Sequence, residues 1–149
     1  MMVRTMQVKF NTQHTATVWN TFQCYLKNTY LRVHIDQIML ERRKKMFGCK
    51  FVRGAYIVQE RQRAEDMGYS DPICPTMQDT HDNYDRCVLR MLPKIKAGQA
   101  EFMLASHNQQ SIELAVNQLQ QMGMGAATST AFWTIPHAFF STNQPAHAM

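Results

Sequence analysis

Two cations, Lys50 and Arg53, stand inside the apolar run FGCKFVRGAY (residues 47–56), and glycine and alanine follow at once. Burying an unpaired ion costs on the order of several kcal/mol. A strand that carries such charge is therefore either an exposed edge or the holder of an anionic or electron-rich partner. Read the second way, K-x-x-R-G-A-Y is an anion or cofactor cradle: Lys50 and Arg53 supply fixed charge, while Gly54 and Ala55 leave room for something bulky to approach the backbone. Tyr56 is either a pocket wall or core. Gln23 sits on a segment otherwise suited to burial; its amide is either satisfied within the core or free to hydrogen-bond a heteroaromatic edge. His107 in the run ASHN can stack on or hydrogen-bond to a ligand near a positive helix terminus, or it is a plain turn residue. Asn108 beside it reads as a helix cap.

Elements must bring these residues together, and the chain offers three strand-then-helix units. The first passes from ATVWNTFQCYL, with strand formers Thr17, Val18, Trp19 and Phe22, into a helix capped by Asn28. Its spacing of Leu31, Ile35, Ile38 and Met39 predicts the buried face, and Gly48 is its predicted stop. The second unit is the strand CKFVRGAYIV, a polar excursion broken by Gly68 and two prolines, and a helix with Tyr84, Val88 and Met91 on one side; Thr80 is the expected cap and Pro93 the expected end. The third is the strand AEFMLAS and a helix with Ile112, Ala115, Val116, Leu119 and Met122 on one stripe, followed by Gly123. Three such units in series predict an α/β fold with a parallel sheet, whose chemistry collects where strands end and helices begin.

A chain of 149 residues, 45% apolar and 18% charged, fits one globular domain. No apolar run approaches the roughly 18–20 residues that span a bilayer, and the start, MMVRTMQVKF, shows neither a secretory nor an organelle-import pattern. Cys24, Cys49, Cys74 and Cys87 form no C-x-x-C pair and have no histidine at ligand spacing, which argues for reduced structural thiols and against a metal site. The net charge of +5 is concentrated on stretches such as ERRKK (residues 41–45) without interleaved aromatics, the pattern of a solvated helix face rather than of a nucleic-acid surface. Beyond Lys96 there is no Lys or Arg and beyond Glu113 no acid; the chain is expected to change character near Gly125, leaving residues 1–125 as one unit and 126–149 as an unassigned tail.

The runs NTFQCYLKNTY, FGCKFVRGAYIVQERQRAEDMGYSDPICPT, NYDRC and ASHN, in this order, resemble proline dehydrogenase of the eukaryotic mitochondrial type. The resemblance implies a fragment, about three of eight units, of a distorted (β/α)8 barrel that binds FAD, oxidises L-proline to Δ1-pyrroline-5-carboxylate and passes electrons to a membrane quinone in mitochondria. Residue by residue it implies Gln23 on the flavin ring, Lys50 near its reactive edge as the catalytic cation, Arg53, Gly54 and Ala55 against the cofactor, Ser106 and His107 as further flavin contacts, and Tyr56 as an aromatic wall of the substrate site. Phe51 stands where the family usually has leucine against the substrate, a change expected to reshape that pocket. The family's substrate lysine, aspartate and paired C-terminal arginines have no counterpart here, and residues 126–149 do not resemble it. Hydroxyproline dehydrogenase, or a truncated non-catalytic product, are the alternative readings.

Overall fold

The computed structural model describes residues 2–124. Its elements, in chain order, are α1 (Met2–Phe10), β1 (Asn20–Gln23), α2 (Thr29–Arg42), β2 (Phe47–Val52), α3 (Ile57–Met67), α4 (Met77–Lys96), β3 (Ala100–Ala105) and α5 (Gln109–Gln121). The strands form one parallel sheet in the order β1-β2-β3, with Thr21, Lys50 and Met103 in one row and Gln23, Val52 and Ala105 two rows on. This is the expected strand-helix series, an α/β sheet with crossover helices.

Period-two alternation divides the sheet into two faces. Phe22, Phe47, Cys49, Phe51, Phe102 and Leu104 point one way and form the core with Leu40 of α2 and with Tyr84, Val88, Met91 and Leu92 of α4. Phe51 lies at its centre, fully buried, with ring centroids 6.1 Å from Phe22, 5.8 Å from Phe102 and 6.4 Å from Tyr84. The expectation that Phe51 meets the substrate is thus corrected: Phe51 faces the helices, whereas its neighbours Lys50 and Val52 take the opposite face.

Near the N-terminal end of the strands, α1 and the residue that follows it supply side-chain amides to backbone groups. Gln7 Nε2 donates to the Gly48 carbonyl at 2.6 Å, and Asn11 Nδ2 donates to the Met46 carbonyl at 2.9 Å while its Oδ1 accepts the Val18 N–H at 2.7 Å. Both amides are fully buried, so each carbonyl they satisfy would otherwise carry a desolvation cost.

The structure revises several expected boundaries. Gly48 is not a helix stop; it lies in β2, where a Cβ would come within 2.8 Å of Ala16 and 3.1 Å of the Trp19 ring. The turn after α2 uses Lys44 at φ 53° instead. The face of α2 is also different: Val33, Asp36, Gln37 and Leu40 are buried, and Leu31 and Ile35 are exposed. The polar excursion contains α3, closed by Gly68 at φ 69°. Helix α4 is capped by Thr76, whose side chain accepts the Asp79 N–H while Asp79 accepts the Thr76 N–H. It runs past Pro93, which sits on the solvent side of the last turns and leaves unpaired only a carbonyl at the half-exposed Leu89. The stripe of α5 and the Asn108 cap are as expected: Asn108 Oδ1 accepts the Ser111 N–H at 3.0 Å. The tail assigned to residues 126–149 lies outside the described residues.

Candidate functional site

On the face opposite the core, the C-terminal ends of the three strands and the turns that follow enclose a groove of about 590 Å³. Gln23, Lys50, Arg53, Gly54, Ala55, Tyr56, Ser106 and His107 all line it. Their convergence follows from register: Gln23, Val52 and Ala105 share a row, Thr21 and Lys50 share another two rows below, and every second residue on each strand faces the same side. The sequence reading singled out neither Thr21, Val52 and Ala105 nor His81. The first three were accessible from that same alternation; His81 arrives from α4, and nothing in its local sequence marks it.

Lys50 is half-buried and forms no ion pair with a described acid. Gln23 Oε1 is buried without a hydrogen-bond partner among the described residues. A cation without a counter-ion and an acceptor without a donor, on adjacent strands facing one groove, are the features expected of a site that completes itself with a ligand.

Arg53 has a different situation. Its Nε donates to His81 Nδ1 at 2.8 Å, one terminal nitrogen donates to Ser106 Oγ, and the other donates to Ser111 Oγ at 2.7 Å; Ser111 in turn donates to Asp85. The guanidinium carbon lies 4.2 Å from the centroid of the Tyr84 ring, so the cation is held by an aromatic face and a relay to one carboxylate. What a ligand meets here is therefore chiefly the strand end that this clamp fixes. Burial pushes the Tyr84 hydroxyl well above the usual phenol range, with Arg53 opposing the shift.

Gly54 does leave room, but for Tyr25. At φ 121° a Cβ on Gly54 would stand 1.4 Å from the Tyr25 ring, so the absent side chain makes room for that ring while the backbone lines the groove. Tyr25 is anchored by its N–H to the Arg53 carbonyl at 2.9 Å. Gly54, Ala55 and Tyr56 remain exposed along the rim, Tyr56 at 55%, which makes it a wall rather than core. Ser106 is buried and accepts the Asn108 N–H at 3.0 Å; His107 projects exposed beside it.

Cys24, Cys49 and Cys87 lie in the core behind the sheet, away from the groove. The Cys87 hydrogen bond and burial push the Cys24 thiol far up, and burial does the same to Cys49, so both stay protonated and unreactive at neutral pH. Among the described residues no three His, Cys, Asp or Glu side chains come together as a metal site.

The proline dehydrogenase family model matches residues 1–134. The chain belongs to the proline dehydrogenase family. It is 40% identical over 129 residues to proline dehydrogenase 1, mitochondrial, of Homo sapiens, covering 86% of this chain and 21% of that protein. It is 38% identical over 109 residues to hydroxyproline dehydrogenase of Bos taurus, covering 72% of this chain and 24% of the relative. The chain thus spans about a fifth to a quarter of the length of these relatives. Among solved structures, proline utilization A from Bdellovibrio bacteriovorus, inactivated by N-propargylglycine, superimposes with a TM-score of 0.68 at 22% identity, over 76% of this chain and 12% of that one. That likeness is one of fold, and it agrees with a family member that contributes three parallel strands and their helices.

Proposed function

We propose that this chain carries the central part of a flavin site in an FAD-dependent enzyme that oxidises L-proline to Δ1-pyrroline-5-carboxylate and delivers the electrons to a membrane quinone in mitochondria. The observation that carries this reading is the pairing, on one groove, of an uncompensated Lys50 with an orphaned Gln23 acceptor. A flavin ring fits that pair: it offers ring N–H donors to an amide oxygen and takes up negative charge on reduction. When bound, FAD supplies the acceptor for the hydride that leaves the carbon next to the proline ring nitrogen.

The chain's own residues have the following parts. Gln23 accepts a hydrogen bond and fixes the ring's orientation. Lys50, held on the central strand, supplies a cation that needs no reorganisation during reaction, the condition under which an electrostatic partner is most effective. The Arg53 clamp fixes the strand end, Gly54 and Ala55 offer backbone along the rim, Ser106 and His107 close the groove from β3, and Tyr56 forms a wall on the substrate side. In this reading the three described units are one arc of the barrel that the family resemblance implies.

The test is purification in the presence of FAD, followed by visible spectroscopy and proline-dependent dye reduction. Expected are bound-flavin bands that co-purify with the chain. A chain that emerges with no flavin overturns the proposal.

A further inference from the structure

His81 lines the groove from α4 and has no part in the flavin reading. It opens a helical face: His81, Tyr84 and Asp85 stand at i, i+3 and i+4, the spacing that sets side chains next to one another. All three serve one guanidinium. His81 Nδ1 accepts the Arg53 Nε–H at 2.8 Å, the Tyr84 ring lies 4.2 Å from the guanidinium carbon, and Asp85 is reached through Ser111. Arg53 also donates to Ser106, just beyond β3. One side chain thus ties the end of β2 to α4, to α5 and to the end of β3.

That geometry fixes a protonation state. A guanidinium has no acceptor and keeps its protons at any ordinary pH, so His81 Nδ1 is the nitrogen with the free lone pair, the ring is neutral, and its proton sits on Nε2. Nε2 has no hydrogen-bond partner among the described residues, which leaves its N–H for the groove. A second proton would take away the Arg53 acceptor and set an imidazolium against a guanidinium. The surroundings do little to offset this. β2 adds Lys50, the end of β3 adds His107, and α5 presents the neutral Ser111. On α4 itself, Asp79 already accepts from Thr76, Asp82 from Gln78 at 2.8 Å and Asp85 from Ser111, while burial keeps the Tyr84 hydroxyl protonated. The clamped form therefore holds one proton fewer than the released form, so it is favoured at high pH and lost as pH falls.

We propose that His81 is a positioning residue: as the neutral Nε2–H tautomer it holds Arg53 across the strand ends and leaves a hydrogen-bond donor for the groove, and protonation of its ring releases the clamp. The consequence for a bound flavin, weaker binding on acidification, rests on the proposed function. The clamp itself needs no ligand, so the two fail separately.

The test compares the full chain with His81→Asn, whose amide oxygen replaces Nδ1 by an acceptor that does not titrate, and with His81→Leu, which has no acceptor. In the ligand-free parent at pH 8, nitrogen-15 shifts of the imidazole should report the Nε2–H tautomer; an Nδ1–H tautomer would overturn the proposal. Urea unfolding is then followed at pH 8 and pH 5, the interval over which an imidazole changes charge. Acidification should raise the unfolding constant of the parent about tenfold more than that of His81→Asn, the loss of one hydrogen bond to a charged group. His81→Leu should unfold about tenfold more readily than the parent already at pH 8, with the gap narrowing at pH 5. Equal pH dependence in the parent and His81→Asn, or a leucine variant as stable as the parent at pH 8, would overturn the proposal. FAD affinity, measured on the same three proteins, should fall with pH in the parent and hold in His81→Asn. Absence of flavin from all three would sink the flavin reading, and the unfolding data would still decide the clamp.

Discussion

At the scale of the residue, the site depends on a few side chains whose roles follow from what they lack. Lys50 lacks a counter-ion, and replacing it with Met should weaken FAD binding about tenfold, the loss of one charge-assisted contact; quenching of flavin fluorescence measures it. Gly54 lacks space for any side chain. Gly54→Ala combines a strained φ of 121° with a Cβ driven into the Tyr25 ring, and should cost about 3 kcal/mol in urea-induced unfolding. Glu101 carries the opposite liability: burial holds its carboxyl above the usual range. In the window above the ordinary carboxylate pKa the folded state binds more protons than the unfolded one, so this group's effect on stability worsens as pH rises. Glu101→Gln should therefore unfold at a higher temperature than the parent at pH 7, with the advantage disappearing at pH 4. Much of this scale was legible in the sequence. A cation among apolar residues marked Lys50 as a groove residue, and Gly54 lines the same groove, although local spacing did not reveal that Tyr25 packs against it; strand alternation from Lys50 already sets Phe51 on the opposite face.

At the scale of the element, strands and the last helix were read more securely than helices α2, α3 and α4. β2, β3 and α5 announce themselves by alternation or by a clean stripe. Helix α2 misleads because Val33, Asp36, Gln37 and Leu40, half of them polar, form the buried face while its more apolar residues point outward. Asp36 tolerates that position because Arg4 of α1 pairs with it. Helix α3 was read as a polar loop because only Ala64 of its residues is buried, leaving no apolar period to detect. In α4 the structure selects Thr76 over Thr80 as cap, since Asp79 stands three residues on and closes a reciprocal capping box. Thr76→Ala should cost about 1 kcal/mol of stability, read as a lowered denaturant midpoint with unchanged slope.

At the scale of the molecule, two neighbouring strands cover β2, whereas β1 and β3 each have one free edge among the described residues. The groove lies on the sheet face opposite the core helices and is bounded on one side by the sheet. Free edges and an open face favour self-association; sedimentation at rising concentration should show species larger than a monomer, and a stable monomer would count against that view. The central claim is narrower: flavin occupies the groove over Gln23 and Lys50. Ala105 lies in the same row as Gln23 and Val52, and Ala105→Trp would fill the groove without touching the core face. The deciding measurement is FAD retention through gel filtration by the parent chain and by this variant. The account predicts flavin bands that travel with the parent and are absent from Ala105→Trp; equal retention by both, or retention by neither, would contradict it.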